Sequence, residues 1–263
     1  GENWTTECCV GSNTVNAVLW DGTRLLAAEG NALYNDESGN FNAISNLNQA
    51  MWQGVATDGS STIVRVGLQA NISTSTDKGA TWQTNAVGNN LNKVNYYNGR
   101  FLAVGNSGVI LTSSDGLNWT SQTSGTNENL YDIFWFTGND PFSGTFSLYV
   151  AVGARGTILT STNATSWQAE NGDPVITKDL YAIDHDNDYF VVVGQDGTII
   201  VRNNTASPGQ TGWMNFSNTS YGTLNDIFYD GTTGHIVGNN GRYVAGTAMS
   251  GFCLLYTSDA ADE

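Results

Sequence analysis

Basic residues are scarce in this chain, and the scarcity excludes several classes of partner. Nine Lys and Arg residues stand against 24 Asp and Glu among 263 residues, which gives a formal net charge of −15. A protein that binds nucleic acid or an anionic membrane surface needs basic side chains to meet the phosphates. The sequence therefore predicts no nucleic-acid partner, and its charge suits a cation, a neutral glycan or another protein.

Long apolar runs, prolines and cysteines are scarce as well. No stretch reaches the roughly 18 apolar residues of a membrane-spanning helix, so no membrane insertion is predicted. Three prolines leave no room for a proline-rich linker. The adjacent Cys8 and Cys9 can bond to each other, pair between subunits or stay reduced, and Cys253 could bond to either of them. An oxidising location outside the cell fits whether or not Cys253 is native.

Glycine is abundant, and some of the glycines belong to a repeated sequence motif. With 31 Gly and only 13% charged residues, the composition favours short strands and tight turns over helices. A short apolar run ending in glycine recurs at intervals of 37 to 48 residues, close to the period of a propeller blade. The six copies end at Gly30, Gly67, Gly105, Gly153, Gly194 and Gly238.

Each repeat predicts four strands. An upstream Leu-x-x-Ile or Leu-x-x-Val motif, as at Leu130, predicts the innermost strand, and the apolar run predicts the second. In the last four copies a Gly-x-x-Gly turn that needs positive φ leads into the third strand. A Trp such as Trp119 opens the fourth strand, and Phe41 takes this position in the first blade. The predicted fold class is all-β: a six-bladed β-propeller of four-stranded antiparallel blades, with a β-sandwich as the alternative.

The two ends of the chain bear on how the ring closes. The last blade, from Leu224, supplies three strands before about residue 252, and residues 3–7 parallel the start of an outer strand at 118–122. Residues 1–9 are therefore predicted to close the last blade of a single domain, 1–252, and a truncated chain would leave room for seven blades. Residues 253–263 resemble the translation of a sequencing adapter, as in an environmental read, and are predicted to be a non-native tail. The alternative is a genuine third strand over 254–259.

Two loops carry the sharpest motif. Ser75-Thr-Asp77-Lys-Gly79-Ala-Thr-Trp82 and Ser113-Ser-Asp115-Gly116-Leu-Asn-Trp119 resemble the Asp-box, or bacterial neuraminidase repeat. Ser161-Thr-Asn163-Ala-Thr-Ser-Trp167 is a degenerate copy. The resemblance implies perimeter loops with a folding role for Asp77, Gly79, Trp82, Asp115, Gly116 and Trp119. The Ala-Val-Gly-x-x-Gly motif, as at 103–108, and the Thr-Ser-x-Asp-Gly-x-x-Trp motif, as at 112–119, also resemble those of the propellers of photosystem assembly factors, although the basic partner-binding patch of that family does not match the charge of this chain.

The Asp-box family includes sialidases, so catalysis has to be considered. The resemblance implies three converging arginines in a sialidase, whereas the arginines here fall in second strands, third strands and turns, so that activity is not predicted. A glycosidase needs two carboxylates about 5–9 Å apart. The candidates on or beside innermost strands are Asp132, Asp184, Asp186 and Asp226. Asp132 and Asp226 hold equivalent repeat positions, which is typical of a structural role.

No cofactor or metal site is predicted. The acidic run 184–188 could hold Ca²⁺, but it lacks the glycine and the terminal Glu of a calcium loop. Seven Asn-x-Ser/Thr sequons are candidates for glycosylation. They begin at Asn3, Asn71, Asn118, Asn163, Asn203, Asn215 and Asn218.

The sequence thus predicts a non-catalytic, extracellular or cell-surface β-propeller that serves as a structural or binding module. Its partners would be further copies of itself, another surface protein or a glycan. A closing strand donated to the next subunit would give a filament. The alternative function is a carbohydrate-active enzyme that uses carboxylates facing the channel.

Overall fold

The computed structural model of the chain describes residues 15–20, 25–29, 32–36, 41–46, 51–140, 144–170, 176–185, 189–203, 212–247 and 251–256. Within these ranges the chain forms six four-stranded antiparallel sheets joined by turns, and its only helices are single 3₁₀ turns. The predicted all-β class, built from repeated four-stranded antiparallel sheets, is confirmed.

The strands run through the sheets in chain order. The first two sheets comprise β1 (Val15–Trp20), β2 (Leu25–Glu29), β3 (Ala32–Asp36), β4 (Phe41–Asn46), β5 (Trp52–Thr57), β6 (Ile63–Gly67), β7 (Asn71–Ser75) and β8 (Gln83–Ala86). The next two comprise β9 (Leu91–Tyr97), β10 (Arg100–Gly105), β11 (Ile110–Ser113), β12 (Thr120–Gln122), β13 (Leu130–Asp140), β14 (Gly144–Gly153), β15 (Ile158–Ser161) and β16 (Gln168–Ala169). The last two comprise β17 (Leu180–His185), β18 (Tyr189–Gly194), β19 (Ile199–Asn203), β20 (Trp213–Asn215), β21 (Leu224–Tyr229), β22 (Gly234–Gly238), β23 (Tyr243–Thr247) and β24 (Gly251–Tyr256).

The first strand of each sheet is the innermost one. β1 packs on β5, β5 on β9, β9 on β13, β13 on β17 and β17 on β21. The fourth strands are the opposite edges of the sheets. The predicted strand order, from an innermost first strand to an outer fourth strand, agrees with this arrangement.

The core is a series of apolar layers between consecutive sheets. Between the fourth and fifth sheets, for example, Val150 and Ile158 pack with Val192 and Ile200, and all four are buried. The other four consecutive junctions hold similar clusters. Because each fully buried Val, Leu or Ile contributes about 1.5–3 kcal/mol, these layers hold neighbouring sheets face to face.

In the third to sixth sheets the turn after the second strand needs glycine for two different reasons. Gly105 is extended (φ −165°), and an added Cβ would lie 2.1 Å from the carbonyl oxygen of Asn90. Positive φ is confined to the next positions, with 56° at Ser107 and 72° at Gly108. The prediction of positive φ is therefore right for the second glycine, while the first is required by the close approach of the innermost strand.

The first repeat departs from the glycine pattern. Val15 pairs with Glu29 in the register in which Leu130 pairs with Gly153. Glu29, and not Gly30, therefore takes the position that glycine holds in the later repeats. The predicted anchor at Gly30 is one residue out of register, because the apolar run does not fix where the pairing with the innermost strand begins.

The sixth sheet differs from the prediction that it lacks a fourth strand. β24 occupies that position and pairs antiparallel with β23, from Thr247 with Gly251 to Tyr243 with Tyr256. A local hairpin closes a far shorter loop than pairing with the N-terminal segment would, so its entropic cost is lower. Residues 253–256 belong to this fourth strand, so the third strand predicted over 254–259 is wrong. Residues 257–263 and the proposed closing strand at 3–7 lie outside the described residues.

Candidate binding site in the central cavity

Every innermost strand has an irregularity at its second residue. The pairing register shifts there in all six sheets, for example between Leu130 and Asp132 in β13. A bulge of this kind re-aims a side chain and is often found beside functional sites. The six bulged residues are Asn16, Gln53, Asn92, Tyr131, Tyr181 and Asn225, and we call them the bulge ring.

The bulge ring lines one central cavity of about 620 Å³. All six of its residues contribute to the wall, together with Lys93 and Asp226. Because the members come from six different sheets, the cavity lies where the innermost strands meet. The repeat thus places one chosen side chain from each sheet around the same space.

The chemistry of the bulge ring is polar and mostly uncharged. Four members carry carboxamides, which offer both a donor and an acceptor, and two carry phenols. The rings of Tyr131 and Tyr181 lie 5.4 Å apart at a tilt of 52°. Such a wall suits a neutral ligand with alternating donors and acceptors, and the tyrosine pair offers flat surfaces for apolar parts.

Some of the ring's carboxamides also tie neighbouring sheets together. The Asn92 Nδ2 donates to the carbonyl oxygen of Leu130 at 2.8 Å, and the Asn16 Nδ2 donates to that of Trp52 at 2.8 Å. Both acceptors lie at the start of the next innermost strand. These contacts orient the amides in advance of any ligand, which lowers the entropic cost of binding.

Asp132 lies beneath the ring and is only 5% exposed. Its Oδ1 accepts from the backbone N–H of Ile133 at 2.8 Å, and its Oδ2 accepts from that of Ile183 at 3.1 Å in the next sheet. The Lys93 Nζ lies 3.7 Å from Oδ1. Burial raises the pKa of Asp132 while Lys93 opposes the rise, and Asp132 in turn raises the pKa of Lys93. The carboxylate therefore joins the third, fourth and fifth sheets.

Asp184 makes the same kind of bridge one sheet further on. Its Oδ2 accepts from the backbone N–H of Tyr229 in the sixth sheet and its Oδ1 from that of His185, both at 2.8 Å. Burial raises the pKa of Asp184 to about 6. Of the four carboxylates considered for a glycosidase, two are thus held by backbone amides of two sheets, Asp226 is exposed on the cavity wall, and Asp186 lies outside the described residues.

The raised pKa of Asp184 predicts a pH effect on stability. The unfolded chain ionises this carboxyl at its ordinary value of 3.8, whereas the folded protein does so at about 6. Between these values the folded state binds more protons, so stability falls as pH rises through the window and the loss persists above it. We expect the free energy of unfolding, measured by urea denaturation, to fall between pH values of about 4 and 7 by about 2 kcal/mol more in wild type than in Asp184→Asn. Parallel pH dependences of the two proteins would contradict this assignment.

The Asp-box loops are self-contained turns. Asp77 accepts from the Thr81 hydroxyl at 2.5 Å, from the backbone N–H of Thr81 at 2.8 Å and from the Ser75 hydroxyl at 2.7 Å. These bonds, the first of them most strongly, lower the pKa of Asp77 to about 2. The Trp82 Nε1 donates to the carbonyl oxygen of Gly79 at 3.0 Å. Asp115 and Trp119 repeat the arrangement, and Asn163 replaces the aspartate in the degenerate copy. In these loops the carboxylate hydrogen bonds to its own turn.

Gly116 shows why the second box needs glycine. Its φ is +75°, and an added Cβ would lie 2.8 Å from the Val64 Cγ2 of the preceding sheet. Its carbonyl oxygen also accepts from the Thr74 hydroxyl at 2.6 Å. The box therefore joins the second and third sheets at this point.

The described arginines do not converge on the cavity. Arg65 and Arg202 are buried within the second and fifth sheets. Arg155 lies in a turn beside Glu128, and Arg100 donates to the carbonyl oxygen of Asn163. Arg24 lies outside the described residues.

The modification candidates are spread over the surface. Asn118, Asn163, Asn215 and Asn218 are exposed, and Asn71 and Asn203 are partly buried. Asn3, Cys8 and Cys9 lie outside the described residues, and the side chain of Cys253 is not described.

The described part of the chain offers neither a membrane-spanning helix nor a cluster of metal ligands. It contains no helix long and apolar enough to cross a membrane. It also brings together no group of three or more His, Cys, Asp or Glu side chains able to hold a metal ion. Residues 186–188 of the acidic run lie outside it.

Comparison with known proteins supports the architecture. A structure of YCF48 bound to a D1 peptide is 18% identical, covers 89% of this chain and 78% of its own, and superposes with a TM-score of 0.66. YCF48 from Cyanidioschyzon merolae is 14% identical, with 90% and 83% covered and a TM-score of 0.66. The fold is a β-propeller. The computationally designed Ika8 protein is also similar, at 12% identity, 92% and 73% coverage and a TM-score of 0.67.

No protein-family profile and no curated protein sequence matches the chain. At these low identities the structural neighbours share the propeller fold, and the Asp-box motif remains a resemblance of individual loops. The predicted resemblance to photosystem assembly propellers is thus confirmed at the level of the fold.

Sequence reasoning missed the bulge ring. It examined the third residue of the Leu-x-x-Ile motif, where Asp132 and Asp226 lie, and passed over the second. That second position holds Asn, Tyr or Gln in every sheet. The signal available in the sequence was that this one repeat position carries a polar or phenolic side chain in all six sheets.

Proposed function

We propose that this propeller is a non-catalytic binding module that holds an extended polypeptide segment of a partner protein against the bulge ring. The observation that carries the proposal is the convergence of four carboxamides and two tyrosines, one from each sheet, on a cavity of about 620 Å³. Peptide backbones present alternating N–H and C=O groups, which carboxamides can both accept from and donate to.

The charge of the chain favours a protein partner over a polyanion. The net charge is −15, and Lys93, the basic residue of the cavity wall, lies beside Asp132. A similar propeller, YCF48, has been observed bound to a D1 peptide, so this fold can present a peptide-binding surface. A neutral or basic peptide segment would experience the least electrostatic repulsion from this acidic protein.

The non-catalytic part of the proposal is supported by the use of Asp132 and Asp184 as bridges between sheets. The exposed Asp226 provides its test. Incubation with a panel of polysaccharides should release no reducing sugar, and release that disappears in Asp226→Asn would contradict the proposal.

A peptide array tests the proposed partner class. Fluorescently labelled chain is applied to arrays of random extended peptides, and the selected peptides are measured in solution. Removing both tyrosines, as Tyr131→Ala with Tyr181→Ala, should weaken binding by about 1,000-fold, because hot-spot aromatic residues each contribute about 2 kcal/mol and about 1.4 kcal/mol corresponds to a factor of ten. Thr120→Ala, on the outer strand β12, is the matched control and should bind like wild type. Selected peptides that bind all three proteins equally would overturn the proposal, whereas selection of glycans on a parallel array would redirect it to a glycan partner.

The proposal includes a location outside the cell or at its surface. It is supported by the scarcity of Lys and Arg and by the four exposed sequons. Antibody labelling of intact source cells tests it, since labelling only after permeabilisation would contradict an exposed location.

We also propose that the six sheets close into a ring by packing the sixth sheet on the first. Trp20 and Phe228 are 62% and 63% exposed, on the faces of β1 and β21 that point away from the packed neighbours. Between the fourth and fifth sheets the equivalent positions are Phe134 and His185, whose rings stack at 5.9 Å. Repeat equivalence therefore places Phe228 against Trp20 in a closed ring.

A cross-link tests this closure. With the native cysteines replaced by serine, Trp20→Cys combined with Phe228→Cys should form an intramolecular disulfide under mild oxidation. Pairing Phe228→Cys with Thr120→Cys is the control and should not react. Failure of the Trp20–Phe228 pair to cross-link would favour an open arrangement with room for a seventh blade.

Assembly into filaments by donation of the N-terminal strand belongs to the same proposal. Among the described strands none pairs with the outer side of β24, the edge strand of the sixth sheet, so that side could accept one more strand. Light scattering of the intact chain against a chain lacking residues 1–9 tests the idea, and it fails if both are monomeric.

A further inference from the structure

Arg65 is a buried cation held between two indoles. Its side chain is 0% exposed, and its Cζ lies 4.3 Å from the ring centroid of Trp52 and 4.1 Å from that of Trp82. Stacking of this kind stabilises a guanidinium through its face. It leaves the N–H groups, which point outward in the plane of the group, without acceptors.

Those N–H groups have no hydrogen-bond partner among the described residues. Nε, Nη1 and Nη2 of Arg65 are all buried without an acceptor, and so is the Nε1 of Trp52. The Trp82 Nε1, by contrast, donates to Gly79 within its own Asp-box. Four buried donor atoms, three on Arg65 and one on Trp52, therefore lack an acceptor. They lie on the side of the second sheet that faces the first sheet, where Trp52 packs with Leu26.

In the fifth sheet a similar pair of a buried arginine and a tryptophan has a carboxylate as its hydrogen-bond acceptor. Arg202 is 0% exposed and lies 6.0 Å from the Trp213 ring, facing the preceding sheet. Its Nη1 donates to the Glu170 Oε1 at 2.5 Å, and the Trp213 Nε1 donates to the Glu170 Oε2 at 3.0 Å. One carboxylate thus accepts from both a buried arginine and the indole beside it.

We propose that a carboxylate binds between the first and second sheets and accepts hydrogen bonds from Arg65 and from the Trp52 Nε1. A carboxylate is acceptor-only, planar and anionic, so it matches the guanidinium edge and neutralises a charge that burial otherwise makes costly. Burial alone lowers the pKa of Arg65 to about 9, which agrees with an uncompensated cation. The carboxylate is either a small free acid from solution or Glu29 or Asp36, the two acidic residues in strands of the first sheet.

Thermal unfolding of the full chain in sodium formate, at constant ionic strength, tests the site. Arg65→Met removes the charge and keeps the length, Trp52→Phe keeps the ring and removes the indole N–H, and Arg100→Met is the control on a partly exposed arginine. If the acid is free, formate should raise the melting temperature of wild type and Arg100→Met but not of Arg65→Met. Trp52→Phe should need about tenfold more formate, because it loses one hydrogen bond to a charged acceptor.

The second source gives a different pattern. If the chain supplies the acid, formate has no effect, and Glu29→Gln or Asp36→Asn lowers the melting temperature in wild type but not in the Arg65→Met background. The proposal is overturned if formate has no effect and the acidic substitutions act independently of Arg65, or if formate stabilises Arg65→Met as much as wild type. Should Arg65→Met fail to fold, Trp52→Phe takes its place with a graded readout: it should need about tenfold more formate, or lose less from the acidic substitutions, than wild type. No difference from wild type in either measurement would overturn the proposal.

Discussion

Replacing Gly153 by alanine should destabilise the protein by about 3 kcal/mol or more. An added Cβ would lie 2.1 Å from the carbonyl oxygen of Asn129 and 3.0 Å from the Cα of Leu130. Both obstacles are backbone atoms of the segment leading into β13, so relief requires moving the innermost strand away from β14. Urea denaturation followed by tryptophan fluorescence would measure the loss.

Gly212→Ala is the matched control for this prediction. A Cβ at Gly212 would meet no atom within 4 Å, and its backbone is not in the left-handed region. The substitution should change stability by less than about 0.5 kcal/mol. Equal losses at the two positions would show that the close approach at Gly153 does not hold the sheet together.

Asp132→Ala should cost about 3–5 kcal/mol, because it breaks a buried charge pair and removes the acceptor of two backbone N–H groups. Lys93 would be left as a half-buried cation, and Ile183 would lose its acceptor in the neighbouring sheet. Asp196→Asn provides the comparison, since its partner Lys178 is half exposed and pairs of that kind contribute only about 0–1 kcal/mol, and since asparagine tolerates the positive φ of this position. Similar losses in the two variants would contradict the bridging role of Asp132.

A compensating variant separates the charge from the packing. Replacing Lys93 by Met together with Asp132 by Leu removes both charges and leaves apolar side chains of similar size. If the cost of Asp132→Ala comes from the stranded cation, the double variant should recover much of the stability. If it unfolds as readily as Asp132→Ala, the backbone hydrogen bonds dominate the loss.

The fold was largely predictable because each repeat carries its signals locally. The spacing from Leu130 to the run ending at Gly153 predicts an innermost strand, a second strand and a turn without reference to distant residues. The first repeat was harder to place, because Glu29 stands where the later repeats have glycine. The fourth strand over Gly251–Tyr256 was missed, because its sequence was interpreted as a tail.

The candidate site was less predictable, because it depends on contacts between sheets. A β-bulge is a property of the pairing between two strands, so the sequence of β13 alone does not reveal that Tyr131 is re-aimed. The engagement of Asp132 likewise depends on Lys93, 39 residues earlier, and on Ile183, 51 residues later. Sequence reasoning identified the carboxylates and could not tell which were already bound by backbone amides.

The bulge ring also explains how one repeat can serve both architecture and recognition. In the second to sixth sheets the first and fourth positions of the innermost motif, such as Leu130 and Ile133, are buried and pack between sheets. The bulged second position packs in no apolar layer, so it can vary wherever its side chain, unlike those of Asn16 and Asn92, makes no hydrogen bond to the next sheet. Partner specificity can therefore change at that position without disturbing the core.

Site-specific photo-cross-linking is the most direct test that the bulge ring is the binding surface. A photoreactive phenylalanine analogue is placed at position 181 in one protein and at position 120 in another, and each is irradiated with a peptide selected on the array. The account predicts a covalent adduct from position 181 and none from position 120. An adduct from position 120 alone would place binding on the propeller perimeter and contradict it.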